Sequence, residues 1–233
     1  MKLLITNDDG FSAPGIQLLA NVAAEFGQVT VVAPACQQSG ISHRITFENP
    51  LNLVEKGANA YSVDGTPADC VRVALSLWEG EFDCVLSGIN DGANLGVDIY
   101  YSGTVAAARE ATFFGLRSIA FSQYRANYQS SQSFDFEKTR PLMVELLTDL
   151  LATKVQTAEL TNVNLPDRSA RVAAAEIRRV KCEVDHSPLP ANFNRQQDGR
   201  LVYSAKYADR PRVAGLDTDV CFGGDVSISN IRF

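Results

Sequence analysis

The stretch Leu3-Leu4-Ile5-Thr6-Asn7-Asp8-Asp9-Gly10 decides the fold class. It begins as a short, continuously apolar strand and runs directly into a polar, acidic turn. A helix is predicted over residues 14–26, because Pro14 suits the first helical turn and Gly27 suits the residue that follows a helix. The order strand, polar turn, helix is typical of proteins in which strands and helices alternate.

The same alternation continues through the first half of the chain. Further apolar strands are predicted at 29–33, 83–86 and 118–121. Helices are predicted over 68–78, with Thr66 and Asp69 as its N-terminal cap, and from Gly103 or Thr104 to about Gly115. Continuously apolar strands that alternate with helices indicate an α/β fold with a mostly parallel sheet covered by helices on both faces.

The second half of the chain has weaker patterns. A polar segment over 124–136 is predicted to be a loop, and leucines at helical spacing predict a helix over 135–152. Beyond residue 162, short β-like stretches at 172–177, 201–205 and 226–228 favour a β-hairpin or an extended C-terminal arm. We therefore expect a single domain over 1–233, with a core of roughly residues 1–165 and an arm region of roughly residues 166–233.

Composition excludes several classes of protein. Apolar residues make up 45% of the 233 residues and charged residues 21%, which is ordinary for a globular protein and excludes a disordered chain. The formal net charge of −6 argues against a sequence-independent nucleic-acid binder. No apolar run approaches the roughly 20 residues of a membrane span. The start turns acidic too early for a signal peptide, so we expect a cytoplasmic protein with no membrane partner.

The five cysteines point to the same compartment. They are odd in number and widely spaced, without a Cys-x-x-Cys motif, and several lie in apolar stretches. This pattern indicates reduced structural thiols and no zinc site.

Three polar loops are predicted to meet at one edge of the sheet. Residues 7–10, 35–42 and 87–102 each follow a strand, and the carboxyl ends of parallel strands share one edge. These loops contain no Lys or Arg, but they contain carboxylates, several Ser and Asn side chains and many glycines. The carboxylates are Asp8, Asp9, Asp91 and Asp98. Such oxygen ligands suit a hard divalent cation with open positions for water and a substrate phosphate.

The stretch Tyr101-Ser102-Gly103-Thr104-Val105 begins a predicted helix. Backbone N–H groups at a helix start are unsatisfied and favour an anion, so this stretch predicts a phosphate seat. A metal loop beside a phosphate seat predicts phosphate-ester hydrolysis by a metal-activated water. Each motif alone also has a purely structural interpretation, as an Asx turn, a loop serine or a helix cap. It is their combination at strand ends that favours a site.

At these motifs the sequence resembles the SurE family, the stationary-phase survival nucleotidases. The matching stretches lie in order within the first 122 residues: Ile5 to Gly10, Val32-Ala33-Pro34 through Ser39, Gly65 to Val71, Ser87-Gly88-Ile89-Asn90 with Gly92 and Asn94, and Tyr101 to Val105. Three later stretches also resemble family stretches: Asn162-Val163-Asn164-Leu165-Pro166, Thr218-Asp219 and Val226-Ser227-Ile228. Residues 178–212 depart from the pattern, and Asp225 stands where the family has an aromatic residue.

The resemblance implies a Rossmann-like fold and an activity. Family members remove phosphate from nucleoside 5′- and 3′-monophosphates, and some trim short polyphosphate. The implied ligands of one Mg or Mn ion are Asp8, Asp9, Ser39 and Asn90, with Asp8 and Asp9 as catalytic residues. The implied phosphate-binding residues are Asn94, Ser102, Gly103 and Thr104. The family also implies a homodimer or homotetramer with an exchanged C-terminal arm.

Other functions are compatible with parts of this pattern. A phosphatase that works through a covalent phospho-aspartate carries Asp-x-Asp after its first strand, whereas Asp8 and Asp9 are adjacent here. A short-chain exopolyphosphatase or a non-hydrolysing nucleotide-sensing module are further alternatives. The sequence does not choose between Mg and Mn, because hard oxygen ligands serve both.

Overall fold

The structure, a computed structural model, describes residues 1–126, 134–153, 158–167, 177–205 and 207–233. Its strands are β1 Lys2–Thr6, β2 Gln28–Pro34, β3 Leu53–Gly57, β4 Ala60–Val63, β5 Cys84–Asp91, β6 Arg117–Gln123, β7 Glu159–Leu165, β8 Arg179–Lys181, β9 Phe193–Arg195, β10 Leu201–Tyr203 and β11 Val226–Arg232. Its helices are α1 Pro14–Ala23, α2 Pro67–Leu77, α3 Gly103–Phe113, α4 Arg140–Ala152 and α5 Asp217–Phe222, with short 3-10 helices at Gly96–Tyr100, Phe136–Thr139 and Tyr207–Asp209.

Within the described residues, nine strands form one mixed sheet in the order β3-β4-β2-β1-β5-β6-β7-β11-β8. The pairs from β4 through β7 are parallel, whereas β3 with β4 and β7 with β11 are antiparallel. This confirms the predicted α/β fold. The C-terminal strand β11 lies inside this sheet, and β9 and β10 form a separate two-stranded hairpin.

Helices cover both faces of the sheet, as predicted, because the side chains of a strand alternate between its faces. Leu3 and Ile5 of β1 pack with residues of α1 and α4. Leu4 points to the other face and packs with residues of α2 and α3. The N-terminus of α2 also forms as predicted, since Thr66 and Asp69 make a reciprocal capping box.

Some predicted boundaries were wrong. The segment 87–102 is not a loop throughout, because β5 continues to Asp91 and a 3-10 helix follows at Gly96–Tyr100. The strand β7 was not predicted, since its sequence ELTNVNL is polar although every residue of it is buried. The hairpin of β3 and β4 was also missed, because β3 is exposed along its whole length. Except for Ile177, the stretch predicted at 172–177 lies outside the described residues.

All five cysteines carry free thiols, and Cys70, Cys84 and Cys221 are buried as core residues. Within the described ranges, no helix combines the length and apolar character needed to cross a bilayer.

Candidate active site

The turn after β1 is built so that a second loop can pack closely on it. The Asn7 Nδ2 group donates a hydrogen bond to Gly10 O at 2.9 Å, which closes the turn around both aspartates. Gly10 has φ +97°, and a Cβ there would meet the main chain of Cys36 at 3.1 Å. A glycine at this position therefore allows both the turn and the approach of residues 35–42.

Asp8 points towards the start of α3. Its side chain is buried, with only 4% of the residue exposed, and its Oδ1 accepts a hydrogen bond from Thr104 Oγ1. A Cβ at Gly103 would stand 2.8 Å from Asp8 Cβ, so glycine is needed for this approach. Burial, and then the negative charge of Asp9, raise the pKa of Asp8 to about 6 against the opposing hydrogen bond from Thr104.

Asp9 points towards the carboxyl end of β5. Its Oδ2 accepts a hydrogen bond from the backbone N–H of Asp91 at 2.9 Å. Burial raises the pKa of Asp9, the hydrogen bond from Asp91 opposes this, and the charge of Asp91 raises it further. Asp9 and Asp91 also line an open cavity of about 280 Å³ beside the start of α1, together with Gln37.

Residues 35–42 contact the turn through their main chain. The N–H of Gln38 donates to Asp8 O at 2.7 Å. The next residue, Ser39, is exposed, and its Oγ accepts a hydrogen bond from Gln37 Nε2 at 2.8 Å. The structure thus brings the backbone of Gln38, the neighbour of Ser39, to the aspartates, while the Ser39 hydroxyl accepts a hydrogen bond within its own loop.

Asn90 lies in β5, one residue before its end, and Asn94 follows the strand. The Asn90 side-chain nitrogen donates to Gly92 O at 2.7 Å. The side-chain atom of Asn90 that is suited to bind a metal ion is therefore its oxygen, Oδ1. Asn94 is buried, and its Nδ2 donates to Ser122 Oγ at 2.8 Å. The Asn94 carbonyl accepts from the amides of Asn162 and Asn164 at 2.9 and 3.1 Å. Asn94 is therefore part of a buried polar network that joins β6 and β7.

The N-terminus of α3 adjoins Asp8. Ser102 is its N-cap residue, and Ser102 Oγ accepts a hydrogen bond from Val105 N at 3.1 Å. The N–H groups of the first helical turn have no partner within the helix and carry the positive end of the helix dipole. The buried Asp8 carboxylate and the positive end of the α3 dipole are thus in direct contact.

The family known as Survival protein SurE matches residues 3–185 of the chain. The chain belongs to the SurE family. The matched residues of this chain include the turn after β1, the end of β5 and the start of α3, which form the arrangement described above.

Individual relatives extend this similarity over the whole chain. A protein of Nostoc sp. is 41% identical over 232 residues, which cover all of both chains. A protein of Legionella pneumophila named "5'-nucleotidase SurE" is 39% identical over 220 residues, or 94% of this chain and 85% of the relative. The crystal structure of the SurE protein from Aquifex aeolicus superimposes with a TM-score of 0.84 at 32% identity, covering 100% of this chain and 93% of that one.

The prediction of a site without cations, made from the residues of the three loops, needs correction at its edges. Arg125, which follows β6, forms an ion pair with Asp91 at 2.8 Å. Arg210, from the C-terminal part of the chain, forms one with Asp98 at 2.9 Å. Sequence reasoning missed both arginines because they lie outside the three loops, although Arg125 stands just beyond the end of a predicted strand, where a site residue could be sought.

Proposed function

We propose that this protein is a divalent-metal-dependent phosphatase that hydrolyses nucleoside 5′- and 3′-monophosphates to nucleoside and phosphate. The observation that carries the proposal is the contact of buried Asp8 with Thr104 and Gly103 at the start of α3. This contact would place a cation ligand beside an anion seat. The printed name of the Legionella relative supports a nucleotide as the substrate.

The residues present fit a bound cation. A carboxylate buried beside a second carboxylate is unfavourable when charged, and its raised pKa reflects that cost. A Mg or Mn ion would offset this cost. The described part of the chain has no group of three or more His, Cys, Asp or Glu side chains that could hold a metal, so neutral oxygens must complete the set. The proposed ligands are Asp8, Asp9, Ser39 Oγ and Asn90 Oδ1.

When bound, this ion would supply positive charge to the phosphate and lower the pKa of a water molecule. The protein's own residues then have separate tasks. Thr104 holds Asp8, and the Asp91 N–H holds Asp9, so that one of these two carboxylates can orient the attacking water. The N–H groups at the start of α3 would stabilise charge that develops on the phosphoryl oxygens. The proposed phosphate-binding residues are Asn94, Ser102, Gly103 and Thr104.

Phosphate release from a panel of nucleoside 5′- and 3′-monophosphates tests the proposal. The panel is run with Mn²⁺, with Mg²⁺ and with EDTA, for the wild type, Asp8→Asn and the control Asp64→Asn, whose carboxylate is exposed and bonded to Asn52. We expect metal-dependent release that falls at least about 100-fold in Asp8→Asn and is unchanged in the control.

Other results of this assay would favour the alternatives. Release from short polyphosphate but from no nucleotide would identify an exopolyphosphatase. Binding of nucleotide without release would identify a sensing module. Full activity of Asp8→Asn at limiting metal would contradict the proposed site.

We also infer a homodimer or homotetramer with an exchanged C-terminal arm, acting in the cytoplasm. The hairpin of β9 and β10 supports the exchange, because all six of its strand residues are exposed and they include the apolar side chains of Phe193, Leu201 and Val202. The five free thiols support a reducing compartment.

A further inference from the structure

We propose that Tyr207 and Arg210 are positioning residues for the phosphate seat and that they act through Asp98. The proposal rests on the proposed function, because it concerns the same seat at the start of α3. Both residues lie beyond residue 185, where the match to the family ends. If Tyr207 and Arg210 have this role, the C-terminal segment contributes to the function of the site.

Tyr207 and Arg210 hold both carboxylate oxygens of Asp98. Tyr207 donates its hydroxyl proton to Asp98 Oδ2 at 2.7 Å, and the Ala93 carbonyl lies 3.1 Å from the same hydroxyl. Arg210 donates to Asp98 Oδ1 at 2.9 Å and to the Leu95 carbonyl at 2.8 Å. The Arg210 side chain is only 4% exposed, and its guanidinium lies over the Tyr207 ring at 4.1 Å. We call Tyr207, Arg210 and Asp98 the clamp.

The clamp is one hydrogen bond away from the phosphate seat. The Asp98 carbonyl accepts from the N–H groups of Tyr101 and Ser102, both at 2.9 Å. Ser102 in turn caps α3, and the following Gly103 packs against Asp8. The position of the Asp98 main chain therefore sets where the helix start lies relative to the aspartates.

The loop that carries Asp98 depends on the C-terminal part of the chain. Gly96 has φ +57°, and its N–H donates to Asp217 Oδ2 at 2.8 Å. Asp217 thus holds the loop at Gly96, while Arg210 and Tyr207 both hold it at Asp98. A seat made of backbone N–H groups works only in the correct position, so a small displacement of this loop weakens phosphate binding. Asp8, Asp9 and Ser39 lie on other loops, and Asn90 lies in β5 ahead of this loop, so we expect metal binding to be spared.

The conservative variant Tyr207→Phe tests the proposal. It removes the hydroxyl but keeps the ring, which packs against Tyr124 and Phe222. The matched control is Tyr203→Phe, whose hydroxyl donates to the Pro190 carbonyl at 2.8 Å in the exposed hairpin. Three quantities are measured: the KM for the best monophosphate, the inhibition constant of inorganic phosphate, and the Mn²⁺ dissociation constant by calorimetry.

In Tyr207→Phe we expect KM and the phosphate inhibition constant to rise about 3- to 10-fold, the effect of one lost hydrogen bond. We expect kcat and the Mn²⁺ dissociation constant to stay within about 2-fold, and Tyr203→Phe to match the wild type in every quantity. Unchanged KM and phosphate inhibition would overturn the proposal. A loss of Mn²⁺ affinity by the same factor as the rise in KM would overturn it too, because it would show a general structural effect.

Hydrogen exchange separates this proposal from the proposed function. In Tyr207→Phe the amides of Tyr101 and Ser102 should exchange about 5-fold faster, while Tyr203→Phe leaves them unchanged. This readout needs no catalysis, so it keeps its meaning if the wild type hydrolyses no nucleotide. Unchanged exchange at these two amides would overturn the proposal even in an active enzyme.

Discussion

Asp8 has the most unfavourable surroundings of the residues at the candidate site. It is buried beside a second carboxylate, and the groups that compensate for this are neutral: the Thr104 hydroxyl and the backbone N–H groups of Asp8 and Thr104. Such an arrangement lowers the stability of the protein in the absence of a bound cation. The effect of Asp8 on the protein's free energy of unfolding is therefore evidence about the function of this residue.

We predict that Asp8→Asn stabilises the metal-free protein. The pKa of Asp8 is raised from 3.8 to about 6 in the folded state, so the charged form is disfavoured there. The wild type is penalised fully above about pH 6 and not at all below about pH 4. At about 1.36 kcal/mol per pH unit, the penalty is about 3 kcal/mol. Urea unfolding in EDTA should show Asp8→Asn more stable at pH 8, with the difference closing towards pH 4.

Asp64→Asn provides the matched control for this measurement. Hydrogen bonds from Asn52 lower the pKa of Asp64, the opposite direction to Asp8, so this variant should gain no stability at pH 8. A less stable Asp8→Asn at pH 8 would show that the Asp8 carboxylate is not strained in the metal-free protein.

At the scale of elements, α3 organises the site from both of its ends. Its first turn contacts Asp8, and near its last turn Glu110 holds the loop that carries Ser39. Glu110 accepts from Arg72 at 2.6 Å, and His43 Nε2 lies 2.7 Å from its other carboxylate oxygen. Burial alone would raise the pKa of Glu110, but these partners outweigh it and hold the pKa below its usual value.

We predict that Glu110→Gln destabilises the protein and loosens residues 35–43. The loss should be about 1–3 kcal/mol at neutral pH, because two charge-assisted hydrogen bonds to a buried group are weakened. Since the folded pKa is lowered, the wild-type advantage is present above the usual pKa of Glu and is lost as the pH falls below it. Urea unfolding measures the loss, and hydrogen exchange of residues 35–43 measures the loosening.

Glu25→Gln is the control for Glu110→Gln. Glu25 also pairs with an arginine, Arg140, at 2.6 Å, but both side chains are well exposed. Its loss should cost no more than about 1 kcal/mol. Equal effects of the two substitutions would mean that burial of Glu110 contributes nothing.

At the scale of the whole molecule, the hairpin of β9 and β10 stands apart from the main sheet. Its exposed residues include Leu201 at 61% and Phe193 at 55%. Apolar side chains exposed together in a small element are typical of a surface covered by a partner.

We predict that Leu201→Ser shifts the protein towards smaller oligomers, because a second copy would no longer bury this side chain. Size-exclusion chromatography with light scattering measures the mass across a dilution series. The control is Leu77→Ser, which changes a leucine that is 57% exposed at the end of α2. A single mass shared by the wild type and both variants at every dilution would exclude the hairpin as an oligomer contact.

Several features of this protein were predictable from local sequence. The apolar strand β1, the acidic turn after it, the capping box of α2 and the start of α3 each depend on a few neighbouring residues. Parallel strands then bring their carboxyl ends to one edge, so the three site loops could be placed together without coordinates. The ligand set and the phosphate-binding residues stay predictions.

Other features were decided only by the tertiary structure. The polar strand β7 is buried because the side chains of its Asn162 and Asn164 form hydrogen bonds with the backbone of Asn94, which no apolar pattern reveals. Tyr207 reaches Asp98 across 109 residues of chain, and Arg125 reaches Asp91 across 34. Hydrophobic periodicity and capping depend on a few neighbouring residues and can be recognised from the sequence. Pairing of distant polar groups depends on the packed arrangement of whole elements, so it appears only when the chain is folded.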